Sequence, residues 1–302
     1  MPDGATSRAL RDQAYSPSLT VPDMNAYLLL YAQRSAEARA SLRWEEISYG
    51  DTPDQRLHFF PAASPAVPLQ VYIHGGYWQA LSRAESSFAA PALVTRGAAF
   101  AALGYGLAPA HRLDEIVGMV RRAVLWLYRH APDLGVDPGR IFLSGSSAGA
   151  HLAAMCLMQG WLPAPLCPTD VICGAALLSG VYDLEPLRHT YVGDQIGLTA
   201  AEAARNSPVR HVHGGIPPLV VARGDNETTA FAEQHRQFVS SLARAGTSVT
   251  DLVVPDRNHF DLPLSIGDPR TSLGSTVLAQ MGLLPSGGHP ASGIGEPSDP
   301  HA

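Results

Sequence analysis

Ser147 stands where a serine side chain could act as a nucleophile. It is the centre of Gly145-Ser146-Ser147-Ala148-Gly149, which follows the apolar run Ile141-Phe142-Leu143 and precedes a helical pattern beginning at His151. This order predicts a strand, a tight turn and a helix, with the serine hydroxyl exposed at the start of the helix. A serine hydroxyl is a weak nucleophile at neutral pH. The chain must therefore also supply a base, a carboxylate that orients the base, and donors for an oxyanion.

The segment His74-Gly75-Gly76-Tyr77-Trp78 is the candidate source of oxyanion donors. It follows the predicted strand 69–73, and its two glycines allow backbone N–H groups to turn toward a developing negative charge. We expect the donors to come from the loop and from the residue after the serine: Gly75, Gly76 or Tyr77, and Ala148. Read alone, the same segment predicts an ordinary Gly-Gly turn. His74 is expected to be a structural hydrogen-bonding residue and not a base.

His259 is the candidate base. It lies in the segment 253–260, directly after the last predicted strand, 249–254. Other histidines fit less well. His211 and His213 form an isolated pair that predicts a solvated loop, and His151 on the helix after the serine is expected to pack or cap.

The orienting acid is expected in the loop 223–228, after the predicted strand 218–222. Two carboxylates in this loop compete, Asp225 and Glu227, and their spacing does not separate them. A buried carboxylate that accepts the imidazole Nδ1–H would fix the tautomer of the base and stabilise the imidazolium. The other carboxylate would be a solvated turn residue or a helix cap.

The elements that must position these residues alternate between strand and helix. After a polar, irregular stretch at residues 1–20, a helix is predicted at 23–43 and a hairpin from 44–49 and 56–60. Buried strands are then predicted at 69–73, 98–103, before Ser147, and at 171–180, 218–222 and 249–254. The helices between and after them are predicted at 84–96, 114–130, after Ser147, and at 229–245 and 271–284. Continuous apolar strands covered by helices predict an α/β fold with a mainly parallel, doubly wound sheet and helices on both faces.

The chain has no internal repeat, and one domain is predicted for residues 1–284. Residues 182–213 interrupt short helical pieces with Pro and Gly, and they predict a small cap insertion over the carboxyl ends of the strands. Residues 285–302 are rich in Gly, Pro and Ser and predict a disordered tail.

Composition narrows the class of function. The 302 residues carry 21 Lys and Arg against 27 Asp and Glu, for a formal net charge of -6, and the basic residues are scattered. No nucleic-acid or membrane surface is therefore expected, and no apolar run approaches the roughly 18 residues of a membrane span.

Three cysteines are too few for a disulfide scaffold, the N-terminal residues contain no apolar signal core, and a cytoplasmic location is the expectation. The sequence does not define an oligomeric state, although a homodimer is the commonest oligomer in general.

Taken together, these motifs resemble those of a known enzyme family. The chain resembles the kynurenine formamidase (arylformamidase) branch of the α/β-hydrolase superfamily, close to hormone-sensitive-lipase-type esterases, over roughly residues 12–284. The residues that carry the resemblance are His74-Gly75-Gly76-Tyr77-Trp78, Tyr105-Gly106-Leu107-Ala108-Pro109, residues 145–153, Tyr182-Asp183-Leu184-Glu185-Pro186-Leu187, Asn206-Ser207-Pro208 and Asn258-His259-Phe260, with Tyr15-Ser16-Pro17 and Val21-Pro22-Asp23 nearer the N-terminus.

The resemblance implies a choice between the two carboxylates. In this branch the acid comes three residues after a glycine, with an aromatic residue and then a glutamine further along the helix. Gly224, Glu227, Phe231 and Gln234 match that pattern, so Glu227 is favoured over Asp225. Two positions depart from the family's pattern. Ser146 stands where a histidine is more usual, and Gly104 replaces a larger polar residue; both are expected near the pocket wall.

Three hypotheses of function follow. The first is an arylformamidase that hydrolyses N-formylkynurenine to kynurenine and formate through an acyl-enzyme on Ser147, which needs no metal and no organic cofactor. Its small-molecule substrate would meet aromatic side chains able to stack on a ring, with Trp78, Tyr182 and Ser146 as pocket residues. The second is a general carboxylesterase with the same triad and a different pocket. The third is a non-catalytic binding protein with the hydrolase fold.

Overall fold

The computed structural model describes residues 4–284, so the predicted disordered tail 285–302 lies outside the described residues. Eight strands are present: β1 Glu45–Ser48, β2 Arg56–Phe60, β3 Val67–Ile73, β4 Ala99–Leu103, β5 Val136–Ser146, β6 Gly174–Leu178, β7 Leu219–Asn226 and β8 Val249–Asn258. The helices within 4–284 are α1 Gly4–Ala14, α2 Met24–Ser41, α3 Ala90–Val94, α4 Leu113–His130, α5 Ala148–Leu157, α6 Pro168–Val171, α7 Tyr191–Gln195, α8 Ala200–Arg205, α9 Thr229–Arg244 and α10 Ser272–Gln280.

The strands form one sheet in the order β1-β2-β4-β3-β5-β6-β7-β8. The pairs from β4 to β8 are parallel, and only β1 with β2 and β2 with β4 are antiparallel. The connection from β3 runs to β4 on one side, whereas β5 pairs with the other edge of β3. The order of the strands therefore reverses between β3 and β5, and in open α/β sheets ligands bind in the crevice at such a reversal.

Helices cover both faces of the sheet because its strands are apolar on both sides. Within β3, Val71 and Ile73 point into a core formed with α4, α5 and α9, while Tyr72 points into a second core formed with α2, α3 and α10. Successive side chains of a strand point to opposite faces of the sheet, so one apolar run contributes residues to both cores. The prediction of a mainly parallel sheet with helices on both faces is confirmed.

Residues 4–14 are helical, so within the described residues the prediction of an irregular stretch at 1–20 is wrong. Helix α1 is held by residues far along the chain: the Asp12 carboxylate accepts the Tyr191 N–H at 2.7 Å, and Arg8 forms an ion pair with Asp194 at 2.7 Å. These partners lie 179 and 186 residues away along the chain, so a short window of sequence does not reveal them.

The continuous helix predicted at 84–96 is also wrong. A 3₁₀ turn at Arg83–Glu85 is followed by the short helix α3. Between them, the Ser87 N–H donates to the Ser35 hydroxyl at 3.0 Å instead of to a carbonyl of its own turn. Pro91 then restarts the helix at a position where its missing N–H costs no hydrogen bond.

Residues 182–213 contain α7, α8 and two 3₁₀ turns, Pro186–His189 and Pro208–Arg210. Helix α8 is fixed to α4 because the buried Glu202 carboxylate binds the Arg112 guanidinium. This hydrogen-bonded ion pair joins the predicted insertion to the start of α4, which packs on the sheet. The division of the chain into one domain with an insertion stays a prediction. Among the helices within residues 4–284, none combines the length and the apolar character needed to cross a bilayer.

Candidate active site

The turn at Ser147 lies between the end of β5 and the start of α5. Its backbone has φ 57° and ψ -120°, a conformation that costs a non-glycine residue on the order of 1–3 kcal/mol. The turn is fixed because the Ser147 N–H donates to the Leu178 carbonyl of the neighbouring strand at 2.8 Å. The predicted strand, tight turn and helix around this serine are therefore present.

The two glycines of the motif let the helix lie directly against the strands. A Cβ on Gly145 would lie 2.4 Å from the Gly149 carbonyl, and a Cβ on Gly149 would lie 2.0 Å from the Ile73 carbonyl of β3. Both distances are far below van der Waals contact. The glycines are thus needed where α5 crosses β5 and β3, a contact between helix and sheet, and not only beside the serine as the sequence suggests.

His259 and Glu227 meet because of how β7 and β8 pair at their ends. Gly224 pairs with Val254, and after a shift in register Asn226 at the end of β7 pairs with Asn258 at the end of β8. Glu227 and His259 are the residues that directly follow these two strands. Nδ1 of His259 lies 3.0 Å from Oε2 of Glu227, and the two side chains are 5% and 0% exposed. An ionised carboxylate can only accept, so His259 donates from Nδ1 and a neutral ring keeps Nε2 unprotonated.

The second carboxylate oxygen of Glu227 is also held. Its Oε1 accepts the Ser179 hydroxyl at 2.6 Å and the Gly224 N–H at 2.8 Å. Burial favours the neutral acid, but the hydrogen bonds from His259, Ser179 and Gly224 outweigh burial, and the pKa of Glu227 is lowered. Asp225, by contrast, is exposed. Of the two competing carboxylates, Glu227 is therefore the one in contact with the candidate base.

The loop after β3 presents backbone donors beside the serine. Within the part of the chain that the structure describes, the N–H groups of Gly76, Tyr77 and Ala148 donate to no protein acceptor. A Cβ on Gly75 would lie 2.8 Å from the Ser146 carbonyl and 3.3 Å from Cβ of Ser147. The loop therefore passes against the turn at Ser147, which is where the donors of an oxyanion hole would have to lie.

Neighbouring residues keep this loop in place. Gly76 has φ +91°, and a Cβ there would meet the Ala80 carbonyl at 2.3 Å, so only glycine fits. The Tyr105 hydroxyl donates to the His74 carbonyl at 2.8 Å, and the Tyr105 and His74 rings stack with centroids 4.0 Å apart. His74 is thus a packed, structural residue of the loop.

Ser147 and His259 line one cavity of about 340 Å³, within the range of small-molecule sites. Gly75, Gly76, Tyr77 and Ser146 also line it. The remaining wall is largely aromatic and apolar and comes from several elements: Met24, Leu28, Tyr31, Tyr72, Phe88, Tyr191 and Phe260. The cavity lies at the carboxyl ends of β3, β5 and β8, where the reversal of strand order places it.

Two residues predicted to bind substrate do not line this cavity. Trp78 is fully buried, and its indole N–H donates to Nδ1 of His151 at 3.2 Å. Tyr182 is 1% exposed and stacks on Phe238 with centroids 4.0 Å apart. Tyr77 and Trp78 both have positive φ, 50° and 60°. After that turn, the first side chain reaches the cavity and the second enters the core.

Ser146 and Gly104, the two positions that depart from the family pattern, lie in different places relative to the cavity. Ser146 lines the cavity. Gly104 lies outside it, where its N–H donates to the Arg56 carbonyl at 2.9 Å and its carbonyl accepts the Tyr49 hydroxyl at 2.7 Å. Only Ser146 can therefore change the shape of the pocket directly.

Sequence reasoning missed two contributions to the site. Ser179, one residue after β6, holds the carboxylate of Glu227; its place at the carboxyl end of a buried strand is the signal that could have found it. The N-terminal segment supplies Pro17, Met24 and Leu28 to the cavity wall. From the same segment, the Tyr31 hydroxyl donates to the Phe260 carbonyl beside His259.

Two buried histidines near the site make the fold sensitive to acid. Burial lowers the pKa of His74 and of His151 to about 4. Nε2 of His151 lies 2.7 Å from the Asn206 carbonyl, so it carries the hydrogen, and Nδ1 accepts from Trp78. His151 is therefore a neutral packing residue, as its place on the helix suggests.

We expect the free energy of unfolding to fall as the pH is lowered from 6.5 toward 4. Below about 6.5 the unfolded chain binds a proton at each of these histidines, while the folded chain stays neutral there until about pH 4. The loss by pH 5 should be about 2 kcal/mol for each histidine. Urea unfolding followed by circular dichroism between pH 7.5 and 5 measures this loss. The window lies above the pH at which carboxyl groups ordinarily titrate. A constant free energy across that window would contradict the prediction.

The fold defines an α/β-hydrolase. In the chain the serine comes first, the carboxylate second and the histidine last, and all three follow parallel strands, as in that class of protein. Comparison with known proteins supports the same class. Residues 57–161 match the BD-FAE family model. The kynurenine formamidase of Danio rerio is 35% identical over 285 residues, which cover 89% of this chain and 94% of the relative. That of Salmo salar is 36% identical over 247 residues, covering 78% and 81%.

A solved structure shows the same fold. The crystal structure of a candidate thioesterase from Silicibacter sp. TM1040 superposes with a TM-score of 0.79 at 27% identity, covering 88% of this chain and 98% of that one. The chain belongs to the kynurenine formamidase family of α/β-hydrolases. It is a hydrolase that acts on amide or ester bonds.

Proposed function

We propose that the protein is an arylformamidase that hydrolyses N-formylkynurenine to kynurenine and formate. The observation that carries the proposal is the pairing of His259 with the buried Glu227, directly beside a cavity that both His259 and Ser147 line. That arrangement supports a Ser-His-Glu triad, with Ser147 as nucleophile, His259 as base and Glu227 as the orienting acid.

In the first step Ser147 attacks the formyl carbon while Nε2 of His259 takes the hydroxyl proton. Glu227 keeps Nδ1 protonated, so the unprotonated nitrogen is the one left for the serine, and it stabilises the imidazolium that forms. The low pKa of Glu227 supports this role, because the carboxylate remains ionised at neutral pH.

The tetrahedral oxyanion would be held by backbone N–H groups of the loop after β3, from Gly75, Gly76 or Tyr77, and by that of Ala148. Such donors act at the point where charge develops, and removing one typically costs about 10²–10³ in kcat. His259 then protonates the departing aryl amine, which leaves a formyl-enzyme on Ser147. Water, activated by the same imidazole, releases formate and restores the serine.

The choice of an aryl formamide rests on two supports. The relatives from Danio rerio and Salmo salar are kynurenine formamidases, and the match extends over most of each chain. The wall of the cavity supplies the rings of Tyr31, Tyr72 and Phe88, against which an aromatic leaving group can pack.

A carboxylesterase is the second candidate. The related solved structure is described as a candidate thioesterase, and the same triad serves esters and amides alike. Ser146 adds weight to this alternative, because the family usually has a larger histidine at this position of the cavity wall.

Substrate comparison tests the proposal. We expect kcat/KM for N-formylkynurenine, divided by its uncatalysed rate constant, to exceed the same ratio for 4-nitrophenyl acetate and butyrate by at least about tenfold. Division by the uncatalysed rate is needed because activated esters are intrinsically more reactive than formamides, and catalysis is measured against that reference. Formamide turnover that is absent or minor beside ester turnover would favour the carboxylesterase.

A further inference from the structure

Among the described residues that line the cavity beside Ser147, Glu85 is the one side chain of fixed charge. The other described residues of the lining include no Asp, Lys or Arg and no second Glu. The remaining polar groups of the lining are neutral amides, hydroxyls and backbone groups, together with His74 and His259. The charge of Glu85 therefore sets the electrostatic character of this space.

That charge is not neutralised by the protein. Within residues 4–284 Glu85 takes part in no ion pair, and its one side-chain hydrogen bond comes from the Ser82 hydroxyl to Oε2 at 2.7 Å. Two arginines belong to or contact the same 3₁₀ turn, and both bind other groups. Arg83 binds Glu46 at 2.8 Å, and Arg39 donates to the Ala84 carbonyl.

Closing the 3₁₀ turn explains only one of the two carboxylate oxygens of Glu85. Ser82 is the N-cap of the 3₁₀ turn Arg83–Glu85, where its hydroxyl accepts the Ala84 N–H. Ser82 and Glu85 have the residue types and spacing of a capping box, and here the Ser82 hydroxyl itself donates to the Glu85 carboxylate and closes the turn. It occupies Oε2 and leaves Oε1 without a donor among the described residues. A glutamine would close the turn equally well, so the turn does not require a charge.

We propose that Glu85 binds an ammonium group on the leaving-group side of the substrate. The inference rests on the proposed function, since N-formylkynurenine carries an α-ammonium, with an α-carboxylate on the same carbon, on its side chain beyond the ring. A half-buried carboxylate in an apolar cavity gains a charge-assisted hydrogen bond from such a group. The same carboxylate repels anions, so the site selects substrates with an ammonium over purely anionic ones of the same shape.

Binding measured by isothermal titration calorimetry tests this inference without turnover. The probes are 1-(2-aminophenyl)propan-1-one, which is neutral, and its 3-ammonio derivative, which differs only by the cation. We expect the wild-type enzyme to bind the cation about tenfold more tightly, the scale of one hydrogen bond to a charged group. The preference should shrink at high salt. In Glu85→Gln it should fall to near one, and in Glu85→Asp, which keeps the charge, most of it should return.

Glu45→Gln is the matched control. Glu45 is exposed on β1, outside the cavity, so this variant loses the same charge and should keep the preference. An equal preference in Glu85→Gln and wild type would overturn the inference, as would an equal loss in Glu45→Gln or failure of both probes to bind. A salt-insensitive preference in the wild type would overturn it even if Glu85→Gln did not fold. Because the assay needs no catalysis, absence of formamide hydrolysis would refute the proposed function and leave this result to stand separately.

Discussion

Replacing Ser147 with alanine is expected to reduce kcat by at least about 10⁴-fold for every ester or amide substrate. Alanine removes the oxygen that is proposed as the nucleophile and keeps the Cβ, so the strained turn with φ 57° changes little. The residual rate would come from the oxyanion donors and from substrate binding alone. The same variant should lose covalent labelling by a fluorophosphonate probe, which mass spectrometry would place on Ser147 in the wild type.

Ser146→Ala is the control for that experiment, because Ser146 is the adjacent hydroxyl in the same cavity. It should still be labelled. Labelling that survives in Ser147→Ala would place the nucleophile elsewhere. A folded wild type that takes up no probe and hydrolyses no substrate would favour the hypothesis of a non-catalytic binding protein with this fold.

Glu227→Gln is expected to lower kcat by up to about 10⁴-fold with a smaller change in KM. The variant keeps the size of the side chain but removes the negative charge that stabilises the imidazolium, and its amide can hold His259 in the wrong tautomer. The effect should be largest here because Glu227 is fully buried and no other carboxylate within residues 4–284 is hydrogen-bonded to His259. Steady-state kinetics with the best ester or formamide substrate measures it.

Asp225→Asn is the matched control for Glu227→Gln, since it makes the same chemical change two residues away at an exposed position. Its kcat should remain within about threefold of the wild type, as surface substitutions seldom matter more. A large loss in Asp225→Asn together with a small loss in Glu227→Gln would move the acid to Asp225. Unfolding curves for both variants would separate loss of catalysis from loss of structure.

The local backbone geometry of the candidate site could be predicted largely from the sequence around it. A glycine-flanked serine between an apolar strand and a helix requires a particular turn, and the structure contains that turn at Ser147. The Gly-Gly pair after β3 predicts a loop with backbone donors, and Gly76 has the positive φ that such a loop needs. These features depend on residues adjacent in the chain, where steric limits on the backbone leave few alternatives.

The choice between Asp225 and Glu227 could not be made from spacing. Both residues lie in one short loop, and their order in the chain says nothing about which reaches His259. The register between β7 and β8 decides it, because the pair Asn226 and Asn258 brings the following residues face to face. The family resemblance favoured Glu227, and the contact at 3.0 Å agrees with that preference.

The walls of the pocket were the least predictable part. An aromatic residue near the motif can turn either toward the cavity or into the core. The positive φ of Tyr77 and Trp78 sends Trp78 against His151, a partner 73 residues away. The helix α1 and the segment that follows it depend in the same way on contacts with Tyr191, Asp194 and Phe260.

The sequence by itself therefore determined the alternation of strand and helix, the tight turn at Ser147, the glycine-rich loop after β3 and the position of the candidate base after the last strand. Each of these is set by short-range periodicity or by local backbone sterics. Only the tertiary structure decided the partner of His259, the residues that line the cavity and the place of Glu85 within it. Those features depend on strand register and on packing between distant segments. Both are set by many residues along the chain together, so a single motif does not predict them.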